Sequence, residues 1–149
     1  FVNKKISKLN ETNLNPKMKT AAIYMHNYLG FTNNISTRYQ SSLCQFYCEN
    51  NNFKVIAEET ELRTVDHQPS LHDLCFGIYK GKIDSLVMIS IQLLPKNKEK
   101  RIRFLQDLKN EKFEIHFVLE DYCFNKKSSI DEFMNVYSES IAINERYKL

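Results

Sequence analysis

Gly81-Lys82-Ile83-Asp84-Ser85-Leu86-Val87-Met88-Ile89-Ser90-Ile91-Gln92-Leu93-Leu94-Pro95-Lys96 runs from a turn, through an apolar stretch, to a proline that opens the next element. Leu86 to Ile91 contains one polar residue, Ser90, and shows no alternation. A strand with one wet face would carry polar residues at every second position. A short continuous run fits a strand buried on both faces, as in a parallel sheet. The run is far shorter than the ~20 residues of a membrane span. Ala21 to Met25 is a second run of the same kind.

The segments between these runs read as helices and further strands. Ser36 offers an N-cap, and Tyr39, Leu43, Phe46 and Tyr47, joined by Cys44 and Cys48, form an expected apolar helix stripe. Asn50-Asn51-Asn52 stops that helix, and Phe53, Val55 and Ala57 alternate with polar neighbours as a strand. Glu58 to His67 reads as a loop. Pro69 starts a helix with Leu71, Leu74, Cys75 and Ile78 on its inner face, ended by Gly81. Pro95 opens a charged helix with Ile102, Leu105 and Leu108 inside. Phe113 to Leu119 alternates as a strand, and a last helix runs from about Ser128. Strands near 21–25, 53–58, 84–91 and 113–119, separated by helices, predict an α/β domain with a mostly parallel central sheet and helices on both faces. Residues 1–19 are polar and basic without periodicity and read as a flexible arm, so the folded domain is expected to be 20–149. The first residue is Phe, which suggests a fragment or processed chain.

The 149 residues suffice for one domain with a real core. Net charge is +3, too little to require a nucleic-acid partner. The base is mostly the wrong kind for a phosphoryl-transfer site: 16 Lys against 5 Arg, whereas phosphate clamps favour the planar arginine fork. Cys44, Cys48, Cys75 and Cys123 lack paired zinc-ligand spacing and read as core residues in a reduced, cytoplasmic protein. His67, His72 and His116 are scattered, and Asp66 and Glu120-Asp121 give no paired-carboxylate geometry. No metal and no cofactor are expected.

A set of short motifs narrows the fold. Ala21-Ala22-Ile23-Tyr24-Met25-His26-Asn27-Tyr28, Ser36-Thr37-Arg38-Tyr39-Gln40, Gln68-Pro69-Ser70-Leu71, Gly81-Lys82-Ile83-Asp84 and Gln92-Leu93-Leu94-Pro95-Lys96 occur in that order. In order and spacing the chain resembles the catalytic domain of the serine recombinases, the resolvases and DNA invertases. That family reads roughly A-x-Y-x-R-V-S, S-x-x-x-Q, R-P-x-L, G-x-I-D and D-R-x-x-R. The resemblance covers nearly all of Ala21 to Glu145. It implies a resolvase-like, three-layer fold with a long C-terminal helix that forms a dimer interface. It also implies a separate DNA-binding domain, which is not within this sequence.

The resemblance also implies a degenerate active site. The nucleophilic serine falls on Tyr28 and an arginine on His26. The arginine of R-P-x-L falls on Gln68, and the last cluster becomes Gln92, Leu93 and Lys96, while Gln40 keeps the family glutamine. Tyr28 is a conceivable phenol nucleophile, but three of its electrostatic partners are replaced by His26, Gln68 and Leu93. Gln40 suits a structural hydrogen-bonding role. Lys96, Lys98, Lys100 and Arg101 form a basic helix start that could meet DNA phosphate, or be a solvated face. The resemblance implies DNA as a partner. It also implies a homodimer, or a heterodimer with a related recombinase, through Phe133, Met134, Tyr137 and Ile141, with no membrane role and an origin in a mobile element. The expected function is a recombination-associated domain that does not cleave DNA. The alternatives are a phosphate- or nucleotide-handling enzyme using the same sheet edge, and a pure protein-interaction module.

Overall fold

The computed structural model describes residues 18–27, 35–62 and 68–146, with side chains through Ile143. Strand β1 (Lys19–His26) lies between β2 (Phe53–Glu61) and β3 (Ser85–Met88), and β4 (Glu114–Phe117) and β5 (Tyr122–Phe124) complete the order β2-β1-β3-β4-β5. The first four strands pair in parallel, and β5 joins β4 antiparallel. Helices α1 (Thr37–Asn50), α2 (Pro69–Phe76), α3 (Lys98–Lys109) and α4 (Ile130–Arg146) complete an α/β domain, with one 3-10 turn, Ile91–Leu93, after β3. Ala21–His26 and Ser85–Ser90 are buried throughout, so both faces at the sheet's centre are covered, as the two apolar runs predict. Among the described residues, no helix is long and apolar enough to cross a membrane.

The strand order reverses around β1: the chain goes first to β2 on one side, then to β3 on the other. In open parallel sheets such a switch point leaves a crevice beyond the carboxyl ends of the adjoining strands. Here those ends are His26 and the segment after Met88.

Several expectations need correction. The inner line of α1 is Gln40, Cys44 and Cys48, while Tyr39 is 69% and Phe46 63% exposed. Small thiols let the helix backbone lie close to β1 and β2, which it packs against, and the larger side chains stand to one side. Strand β2 continues to Glu61, through part of the expected loop. Helix α2 ends at Phe76, because the chain breaks at Gly77, where a Cβ would lie 2.8 Å from the Asp73 Cα. Ile78 is therefore exposed in a turn rather than on the helix. Gly81 serves the turn itself, with φ +76°, a conformation open to glycine. Helix α3 starts at Lys98, where Asn97 Oδ1 accepts from Lys100 N at 2.9 Å, and not at Pro95. The chain also turns at Asp121, with φ +48°, and returns as β5, leaving Leu119 in the turn.

The last helix departs most from expectation. Phe133 is fully buried, with its ring centroid 5.7, 5.7 and 5.3 Å from those of Phe117, Tyr122 and Phe124. Tyr137 is also buried, beneath Arg101. Both pack in the domain's own core, where hydrophobic burial pulls the stripe onto the sheet's β4–β5 side. Met134 and Ile141 are half-buried, and Ile143 is 60% exposed.

Candidate functional site at the carboxyl edge of the sheet

The end of β1 is held by Gln40. His26 N donates to Gln40 Oε1 at 3.2 Å, and Gln40 Nε2 donates to His26 O and Ile35 O, both at 2.8 Å. The amide thus fastens the strand end to the start of α1, the structural role its residue type suits. The His26 ring is buried, and burial lowers its pKa; the nearby Lys96 charge acts in the same direction and Glu61 against it. The imidazole is neutral at pH 7 and offers no fixed positive charge at this edge.

Beside His26 lies a buried hydrogen-bond network. Tyr24 Oη donates to Glu61 Oε2 at 3.0 Å. Gln68 Nε2 donates to Tyr24 Oη at 2.8 Å and to Leu93 O at 2.7 Å. Glu61 Oε2 also accepts from Ser70 N at 3.1 Å and Leu71 N at 3.2 Å. Burial pushes the Tyr24 phenol far above its usual range, so it remains a donor. The first turn of α2 has orphan N–H groups able to hold an anion. Here the chain's own carboxylate takes that position.

Gln92 and Leu93, also singled out from the sequence, make contacts within the domain. Gln92 Nε2 donates to Ser140 Oγ at 3.2 Å and Ser140 O at 3.4 Å, tying the 3-10 turn to α4. Glu120 completes this joint, accepting from Ser90 Oγ and Ile91 N, each at 2.8 Å. Leu93 is in the core. Lys96, Lys98 and Lys100 are exposed around the start of α3. Arg101 is not with them: it is 5% exposed, donates from Nη1 to Pro95 O and Lys96 O, and stacks 3.7 Å over the Tyr137 ring. A guanidinium committed in this way packs the domain and is turned away from a phosphate in solvent.

Tyr28, Arg63, Asp66 and His67 lie outside the described residues. Tyr24 and Glu61 were not singled out by sequence reasoning. The usable signal was a carboxylate at the end of an alternating strand, shortly before a proline-started helix, where it can cap the N–H groups.

No protein-family profile and no curated protein matches the chain. Among solved structures, the N-terminal catalytic domain of TP901-1 integrase is similar, with a TM-score of 0.62 at 16% identity. The match covers 88% of this chain and 100% of that one. The chain shares the fold of that domain, here a five-stranded, mostly parallel sheet with helices, including a C-terminal one.

Proposed function

We propose that this chain is a divergent serine-recombinase catalytic domain that takes part in site-specific DNA recombination without cutting DNA itself. It acts by contacting DNA or by associating with another recombinase subunit. The observation that carries the reading is Gln68. At the position where the resembling family has an arginine, this neutral amide spends its Nε2 on Tyr24 Oη and Leu93 O. Phosphoryl transfer depends on positive charge aimed at the phosphate. Gln68 and a neutral His26 supply none, and Glu61 holds the α2 amino end.

DNA contact is assigned to Lys96, Lys98 and Lys100, and association with a second copy or a related subunit to the outer side of α4 near Met134, Ile141 and Ile143. The test is DNA binding over a range of salt. Each phosphate contact contributes about −0.9 to the slope of log affinity against log salt. Replacing the three lysines by alanine should flatten that slope by about 2–3. A parent chain that neither retains DNA at low salt nor self-associates or binds a recombinase subunit would overturn the reading.

A further inference from the structure

Glu114, His116 and Cys123 come together at the opposite, amino-terminal side of the sheet from Gln68. The fold makes the cluster. Glu114 and His116 are two apart on β4 and share a face, and Cys123 is the direct cross-strand partner of His116 on β5. Their ligating atoms all lie within 4.8 Å of one another. His116 Nε2 is 2.9 Å from Glu114 Oε1, and Cys123 Sγ is 3.7 Å from Glu114 Oε2 and 3.8 Å from His116 Nε2.

We propose that these three side chains form a zinc-class divalent-cation site. Thiolate and imidazole donors suit zinc and its soft-to-borderline neighbours, whereas magnesium and calcium require oxygen. With Zn–N and Zn–O bonds of ~2.0–2.2 Å and Zn–S of ~2.3 Å, tetrahedral geometry needs N···O near ~3.4 Å and S···N or S···O near ~3.6 Å. The imidazole nitrogen and the thiol sulfur are 3.8 Å apart and each faces a different oxygen of the Glu114 carboxylate, so side-chain rotation brings one of those oxygens into the set.

The surroundings favour the same assignment. Tyr47 Oη lies 2.7 Å from His116 Nδ1, and the rings of Phe53 and Tyr47 flank the imidazole at 5.1 and 5.5 Å between centroids. Without an ion, Nε2–H donates to Glu114 and Nδ1 accepts from Tyr47 Oη; ion binding takes the other tautomer, in which Nδ1–H donates to Tyr47 and the Nε2 lone pair is free for the metal, the usual way a second residue fixes a ligating histidine. The Cys123 thiol has to lose its proton to bind as a thiolate. Binding releases that proton to solvent as the S–metal bond forms. Lys19 Nζ, 3.3 Å from Glu114 Oε1, has to swing aside; its side chain is exposed and the ion pair is a weak surface contact. Three protein donors leave the fourth position to water. Such a site ties β4 to β5, and it does not depend on the recombination reading.

The probe is cobalt(II), displaced by zinc, added to the chelator-treated chain. The expected result is one equivalent bound, with a thiolate-to-cobalt charge-transfer band and tetrahedral visible bands that zinc abolishes. Cys123→Ser should remove the charge-transfer band while leaving the circular dichroism of the fold unchanged, and Glu114→Gln should weaken binding. Tyr47→Phe keeps the ring and should weaken binding by about 10–100-fold. No thiolate band from the folded parent, or a band that survives Cys123→Ser, overturns the site. Undiminished affinity in Tyr47→Phe overturns the positioning role of Tyr47.

Discussion

Glu61→Ala removes one carboxylate on which three donors converge: Tyr24 Oη, Ser70 N and Leu71 N. Each buried donor left without a partner costs about 1–3 kcal/mol. Ser70 is only half-buried, so water recovers part of its share, and the combined loss should be about 3–5 kcal/mol. At a urea slope of about 2 kcal/mol per molar, the unfolding midpoint falls by about 2 M. The slope itself should not change, because the exposed surface of the unfolded chain is nearly the same. Tyr24→Phe in the Glu61→Ala background removes one of the orphaned donors. The double variant should therefore lose about 1 kcal/mol less than the sum of the singles. A loss below about 1 kcal/mol for Glu61→Ala, or strict additivity with Tyr24→Phe, would refute the view that this carboxylate organises the network.

Two further outcomes follow from the same contacts. The His26 pKa is held below its usual ~6.5, chiefly by burial, so the folded state binds its proton less readily than the unfolded state. That stability is fully present above about pH 6.5 and declines as pH falls toward the folded value, and His26→Asn should lack this component in denaturation measured from pH 7 to 5. Phe133→Ala opens a cavity among Phe117, Tyr122 and Phe124 and should destabilise the domain by about 3–5 kcal/mol in the same assay without changing its sedimentation, whereas Ile143→Glu should alter only association.

The frame of the fold was legible because burial on both faces leaves a continuous apolar mark. Ala21 to Met25 lies in β1 and Leu86 to Met88 in β3, two adjacent inner strands, while the apolar run continues past the strand to Ile91 in the 3-10 turn; Ser36 and Pro69 mark the helix starts correctly. Helix α1 misled because Tyr39, Leu43 and Phe46 are larger than the thiols yet stay outside; side-chain size was a poorer guide than the fit against the sheet. Strand β5 has three residues and follows an acidic pair, too short for any period to register. That miss concealed the Glu114–His116–Cys123 cluster, since His116 and Cys123 meet only across the hairpin. Arg101 and Gln68 were visible as residues, but their partners, the Tyr137 ring and the Tyr24–Glu61 pair, are set by tertiary contacts distant in sequence.

The most direct test of the recombination account is incubation of supercoiled DNA with the parent chain and with Tyr28→Phe, followed by denaturing electrophoresis of DNA and protein. The account predicts no nicked or linear product and no covalent protein–DNA adduct from either chain. A strand break accompanied by an adduct in the parent, and lost in Tyr28→Phe, would contradict it.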